Sequence, residues 1–374
     1  MGRVRNGLKK SYFRAAAVAG ILILLVFAAG CSGDLLGYIK ELRAQAEFKG
    51  IVDLPRTGQT TCYDTDGNVI AGSGTGQDGD LQMGIAWPEP RFTDNGNGTI
   101  TDELTGLMWD QSGNTAGGPK TWAQALSDCN GLSLGGHDDW RLPNRKELRS
   151  LVNYEVFNSA DWLNNTAGLF TSVLDDFYWS STTYAPDDAN AWYVYLYGGH
   201  VNYCDKETNC YLLAVRSGQA GGTVSLPRTG QTTMHAAGDD GALEKGVAWP
   251  DPRFTDKGNG TIYDNLTGLM WEQAPSGTSD WTGALEYAND LDLGGHRDWR
   301  LPNVNELESL INAGQADTSV WLNTQGFSGV EFVYWSSTTS APSNAEAWYV
   351  SMSYGIVSYG SKGGLRYLLA VRGG

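Results

Sequence analysis

Hydrophobic and polar positions along the chain spell out the same series of elements twice. "RFTD" at Arg91 and "TITD" at Thr99 are strand-like runs, and the "NGNG" between them supplies residues that tolerate positive φ. "LTGLMW" then reads as a second turn leading into a buried strand that ends on Trp109, or on Trp271 in the second occurrence. Trp122, Leu126, Cys129 and Leu132 follow at helical spacing, matched later by Trp281, Leu285, Ala288 and Leu291. In "WRLPN" Pro143 stops a strand, and Asn144 with Glu147 three residues on predicts a capped helix; Asn303 and Glu306 repeat the arrangement. "FYWSSTT", "AWYVYLY" and "YLLAVR" are aromatic and β-branched runs typical of strands. A hairpin, two helices and three strands predict an α+β domain with its helices grouped together.

The duplication sets the organisation. "LPRTGQTT" at Leu54 returns at Leu226, "GGH-DWRLPN" at Gly135 returns at Gly294, and "YWSSTT" at Tyr178 returns at Tyr334. In a chain of 374 residues each copy is of ordinary domain size. The expected division is a leader at 1–30, a tether at 31–53, a first repeat at 54–216, a flexible linker at 217–225 and a second repeat at 226–374.

One stretch, "DNGNGTITDELTGLMW" from Asp94, recurs from Asp256 and could be a calcium loop or a turn. A calcium-binding EF-hand needs side-chain oxygens at alternate positions and a Glu at the twelfth. Gly96 and Gly98 fall where those oxygens should be and the twelfth position is not a Glu, so the register fails in both copies and turn chemistry explains more.

"RFTDNGNGTITD-LTGLMW", "GGH-DWRLPN--EL-SL", "YWSSTT" and "AWYV" together resemble the family named for the C-terminal domain of the Legionella collagen-like protein. The resemblance covers nearly all of the chain beyond Leu54, twice. It implies a fold related to the C-type lectins, so tandem lectin-like domains are expected. It also implies exported or surface proteins that bind glycans such as glycosaminoglycans, and relatives that display variable ligand-binding surfaces.

The first thirty residues read as targeting. Arg3, Arg5, Lys9, Lys10 and Arg14 make a basic region, Ala15 to Ala29 is apolar, and "AAGC" sets small residues before Cys31. This layout resembles a bacterial lipoprotein signal, with Cys31 as the lipidated residue. The alternative is an uncleaved membrane helix, but the apolar run is short of the ~20 residues needed to span. Ser32 after the Cys favours the outer membrane, so a cell-envelope protein held by a lipid anchor is expected.

Loss of five basic residues with that leader takes the net charge from −16 to −21. Such acidity repels polyanions, which argues against nucleic acid and against gripping sulfated polysaccharides. Four cysteines then remain, all in the first copy; Met234, Ala288, Gly360 and Arg366 replace them in the second. Cys204 and Cys210 flank "DKETN" between two strands, where a disulfide is easily made. Cys62 with Cys129 follows only by elimination, with free buried thiols as the other reading.

Catalysis finds little support. His137 and His296 sit beside glycine pairs, as packed turn residues do, and neither CxxC nor HExxH spacing occurs. No cofactor is indicated, and the chain is expected not to be an enzyme. A binding module fits better, because 14 Trp and 18 Tyr exceed what a core needs. In "AWYVYLY" Trp192, Val194 and Leu196 stay apolar in the twin, whereas Tyr195 and Tyr197 become Ser351 and Ser353. One kept and one changing face at period two places the changing side away from the core. The candidate ligand residues are therefore Tyr195, Tyr197, Ser351 and Ser353. The adjoining loops add Asp187, Asp188 and Asn190, and Asn344 and Glu346. These loops offer the oxygen ligands calcium prefers, though such loops are usually solvated turns. The expected partner is a carbohydrate or a surface protein bound by a lectin-like, adhesin-type module. The alternative is a structural or assembly module of the envelope.

Overall fold

The computed structural model describes residues 50–166, 169–218, 221–275 and 277–373. The leader, Cys31 and most of the tether lie outside these residues. The architecture is mixed α+β, and each repeat runs through the same order. In the first, an arm carries β1 (Cys62–Tyr63), β2 (Val69–Ile70) and the single turn α1 (Asp78–Leu81). Strands β3 (Phe92–Asp94), β4 (Thr99–Asp102) and β5 (Leu107–Asp110) follow, then helices α2 (Trp122–Asn130), α3 (Arg145–Arg149) and α4 (Ser159–Asp161). Strands β6 (Phe177–Thr183), β7 (Asn190–Tyr195), β8 (Val201–Asp205) and β9 (Val215–Ser217) complete it.

The second repeat opens with α5 (Asp240–Leu243), β10 (Phe254–Asp256), β11 (Thr261–Asp264), β12 (Met270–Glu272) and the short β13 (Thr278–Ser279). It continues through α6 (Trp281–Asp290), α7 (Val304–Ser309) and α8 (Thr318–Thr324). Strands β14 (Val333–Thr339), β15 (Glu346–Ser351), β16 (Val357–Ser361), β17 (Arg366–Tyr367) and β18 (Val371–Arg372) end the chain.

The duplicated stretch is a hairpin. Phe92 pairs with Asp102 and Asp94 with Ile100, and Gly96 and Gly98 turn the chain at φ of 71° and 82°. Asp94 accepts from the Gly96 amide at 2.8 Å, an Asx-type staple rather than a cation ligand. Asp102 is the buried pin of the second turn. It accepts from Arg91, from the Leu104 amide and from the Thr105 hydroxyl, and Asp264 does the same for Arg253, Leu266 and Thr267. Each hairpin is closed by the end of its repeat, in the sheet orders β3-β4-β5-β9 and β10-β11-β12-β18.

The helices follow the expected pattern. Trp122, Leu126 and Cys129 are buried on α2, and Trp281, Leu285 and Ala288 on α6. Asn144 caps α3 by accepting from Lys146 and Glu147 amides while Glu147 reaches back to its amide; Asn303 and Glu306 do likewise on α7. His137 sits in a tight turn, exchanging backbone hydrogen bonds with Leu134, as His296 does with Leu293.

The two repeats share one central sheet. Its eight strands run β13-β17-β14-β15-β16-β8-β7-β6, and the halves meet where Val357 of β16 pairs with Val201 of β8. A single apolar cluster extends across both repeats, from Ile100, Trp109 and Trp192 to Ile262, Trp271 and Trp348.

The arms bind the repeats together crosswise. Asp78 in the first arm accepts from Thr57 and also from Thr338 on β14, both at 2.7 Å. Asp240 in the second arm accepts from Thr229 at 2.6 Å and from Thr182 on β6 at 2.8 Å. Asn303 donates to the Met83 carbonyl, and Asn144 to that of Lys245. In the expected linker, Thr223 and Val224 donate to the carbonyls of Glu103 and Leu104. The corresponding Ile51 and Val52 donate to Leu266 of the other repeat.

Candidate functional site

The outward residues of β7 form a continuous ribbon of rings. Trp192, Val194 and Leu196 are wholly buried, while Tyr193, Tyr195 and Tyr197 on the opposite side stay half-exposed. Phe177, at the start of β6, lies with its centroid 4.7 Å from both Tyr193 and Tyr195. Tyr195 is 5.7 Å from Tyr197, which is 4.7 Å from Phe157 in an edge-to-face pair. His200 extends the row across the seam, 6.2 Å from Tyr195 and 4.5 Å from Tyr359 of the second repeat. Phe157 and Phe177 are 48 % and 38 % exposed, so ring faces and edges open to solvent alternate with hydroxyls. These spacings lie within the range of stabilising aromatic pairs.

Electrostatics mark the same surface. Burial, with Asp175 and Asp176 close by, raises the Tyr195 pKa, so its hydroxyl stays a neutral donor and acceptor. Burial lowers the His200 pKa and favours a neutral imidazole. The ribbon therefore presents apolar rings, neutral hydroxyls and a fringe of carboxylates.

The second repeat does not repeat this surface. Phe157, Phe177, Tyr195, Tyr197 and His200 are replaced by Ala316, Val333, Ser351, Ser353 and Ile356. Ser351 and Ser353 were expected to face outward, but they are 4 % and 6 % exposed. The Ser351 hydroxyl accepts from the Tyr354 amide, and that of Ser353 lies 3.4 Å from Ser319. Ser351 is thus occupied by the turn that follows β15, and Ser353 by the start of α8.

The loop residues fall away from the ribbon. Asp187 accepts from the Ala189 amide and the Asn190 side chain, so both residues are occupied in forming their own turn. Asp188 is exposed, with a carboxylate oxygen 3.8 Å from His235 of the second arm. Asn344 lies against Gly67 of the first arm, and Glu346 opens β15 opposite Ser361. These loops stand at the end of β7 and β15 opposite Tyr195 and Ser351. A strand of that length separates them by about 20 Å. Among the described residues no three His, Cys, Asp or Glu side chains converge as a metal ion would require.

The cysteines are free thiols rather than the expected bridge. Cys204 and Cys210 nevertheless touch: a hydrogen bond from Cys210 lowers the Cys204 pKa. Their counterparts explain the placement, because at Gly360 a Cβ would lie 2.5 Å from the Arg366 guanidinium. Arg366 instead stacks over Trp335 and Tyr349, at 4.0 and 4.3 Å. A thiol pair in one repeat thus fills the place of a glycine and an arginine in the other. Pairing Cys62 with Cys129 is not what the fold arranges. Cys129 packs in the cluster that holds Cys210 and borders Cys204, while Cys62 lies in the first arm beside Thr75.

What the sequence did not disclose is the burial of α3. Arg145, Lys146, Glu147 and Arg149 are all buried, because this helix faces the second repeat rather than solvent. The available signals were the loss of charge at the twin positions Val304 and Asn305 and its reversal at Glu308, the twin of Arg149.

Two tandem α+β repeats closed on a shared sheet define a duplicated domain protein. The family model of the Lcl C-terminal domain matches residues 98–216 and 260–372, and the chain belongs to that family. No curated protein sequence matches the chain.

Proposed function

We propose that this chain is an exported, lipid-anchored binding protein of the cell envelope whose first repeat recognises a glycan through the aromatic ribbon. One observation carries this reading: of the six rings that the first repeat contributes to the row, five are lost in the second, and Tyr193 alone is kept, as Tyr349. Core aromatics such as Trp109 and Trp271, or Trp192 and Trp348, are kept in both repeats, so these five are not needed for the fold. A row of tilted and edge-on rings flanked by hydroxyls and carboxylates suits the alternating apolar and hydroxylated faces of a sugar. The acidic fringe favours neutral or amino sugars over sulfated ones.

The family's implied kinship with the C-type lectins supports this reading. The basic and apolar leader ending at Cys31 supports export and a lipid anchor. Recognition of the second repeat's partners is not required; that repeat serves as the support against which the ribbon is held. We assign no catalytic step to the ribbon, since its one imidazole has no nucleophile aligned with it.

The test is a glycan array probed with the mature chain, followed by titration calorimetry on the ligand found. Tyr195→Ala with Phe177→Ala should weaken binding by tenfold or more, about 1–2 kcal/mol for loss of a central ring contact. Ligand bound with unchanged affinity by that variant would remove the ribbon from consideration. Capture of an envelope protein with no glycan bound would favour an assembly role instead.

A further inference from the structure

Helix α3 drives three cations into the junction between the repeats. Arg145, Lys146 and Arg149 converge on a single carboxylate, Glu308 of α7, at 3.3, 3.1 and 3.6 Å. All four side chains are buried. Burial opposes the Glu308 charge, yet Lys146, Arg149 and Arg145 outweigh it and hold the carboxyl below the usual range. Burial also pushes Lys146 down to about 8 and Arg145 down to about 10. The next carboxylate, Asp240, is engaged by Thr182 and Thr229, and Arg253 is paired with Asp264. The cluster therefore carries more positive than negative charge in a place water reaches poorly. Such an excess is costly unless a further anion meets it.

A cavity opens beside this excess. It has a volume of about 40 Å³ and lies between Pro55 and Pro227, with Ser150 and Ser309, and Arg149 and Glu308, also facing it as equivalent pairs. Lys146 lines it as well. Nε of Arg149 has no hydrogen-bond partner, and the Tyr154 hydroxyl faces Arg149 without a bond of normal geometry. Lys146 spends its donors only on the Glu308 carboxylate and carbonyl. One water needs about 10–15 Å³ of such space, so the cavity has room for a small ion with a water or two beside it.

We propose that this cavity binds a small inorganic anion, chloride by its size, which neutralises Lys146 and Arg149 and locks the two repeats together. The site is separate from the ribbon and does not depend on its ligand. Asn305 offers a direct control, because its Oδ1 already accepts from Arg149 at 2.8 Å. Asn305→Asp would build an anion into the chain at that point with no change of shape, at the cost of the bond that the Asn305 Nδ2 donates to the Pro55 carbonyl at 3.0 Å.

The experiment uses the whole mature chain. Crystals soaked in bromide should show one anomalous peak beside Lys146 and Arg149. The melting temperature should rise by several degrees as chloride replaces gluconate at constant ionic strength, the linkage expected of a ligand that binds only the folded state. Asn305→Asp should melt higher at low chloride and lose most of the chloride response. An empty cavity after bromide soaking, or a chloride response undiminished in Asn305→Asp, would overturn the proposal. A response to sulfate with none to chloride would overturn it too.

Discussion

Gln59 of the first repeat and Thr339 of the second bind each other twice. The Gln59 amide donates to the Thr339 carbonyl at 2.8 Å and accepts from the Thr339 backbone N–H at 2.8 Å. Gln231 and Thr183 make the mirror pair at 2.9 Å in both directions. Each glutamine thus acts as a strand residue for the repeat it does not belong to, capping the end of β14 or β6.

The repeats should consequently unfold together. Urea denaturation of the mature chain is expected to give one transition by both circular dichroism and tryptophan fluorescence. Gln59→Ala leaves a buried amide and carbonyl unpaired, which should cost about 1–3 kcal/mol. Two resolved transitions in the unmutated protein would show that the arms couple nothing.

Stability should fall as pH rises through the weakly acidic range. Burial raises both Asp78 and Asp240 from 3.8 to about 6, with the threonine hydrogen bonds opposing the rise. Because the folded pKa lies above the unfolded one, the contribution is fully present below pH about 4 and is lost as pH passes about 6. Each group accounts for about 3 kcal/mol across that window. The double variant Asp78→Asn, Asp240→Asn should have a markedly flatter urea midpoint between pH 4 and 7. Parallel pH profiles for variant and parent would refute the assignment.

The hairpin aspartates should prove structural. Asp94→Ala removes the staple to Gly96 and the contact from Gln111 at 3.2 Å, so melting should drop modestly. Addition of calcium should change the melting of neither protein. A stoichiometric calcium site seen by calorimetry and missing in Asp94→Ala would reverse this conclusion.

An oxidising environment should join the thiols of the first repeat at one place. Cys204 is the thiol poised to ionise, and Cys210 is its immediate neighbour, so mild oxidant is expected to join these two and leave Cys62 and Cys129 free. Peptide mapping without reduction checks it. A bridge containing Cys62 would contradict the fold.

The proposed lipid anchor rests on Cys31. Metabolic labelling with a palmitate analogue should mark the chain in cells and be abolished by Cys31→Ser, with the protein moving to the soluble fraction. Labelling that survives this change would sink the anchor.

Much of this was legible in the residues. The hairpin was readable because paired Asn-Gly steps, with the glycines at positive φ, have few other uses, and the helix caps because Asn144 and Glu147 stand at the spacing a capping box demands. The alternation of Trp192, Val194 and Leu196 correctly pointed Tyr195 and Tyr197 outward. The same rule misplaced Ser351 and Ser353, since period two says which way a side chain points and not what lies above it. Phe157, Phe177 and His200 escaped notice because they come from three separate segments and meet only in space. The crosswise arms left no local trace either: Gln59 and Thr339 are 280 residues apart, and Thr339 contributes only backbone groups that every residue type can offer.

The facing of Arg149 and Glu308 has an evolutionary meaning. A homodimer built on a two-fold axis must place the same residue on both sides of that axis. An arginine at this position in both partners would meet its own copy and repel it, and a glutamate would do the same. Two halves carried in a single chain are free of that symmetry, so one side can be basic and the other acidic. The same freedom lets rings stand on one half while serines take their places on the other.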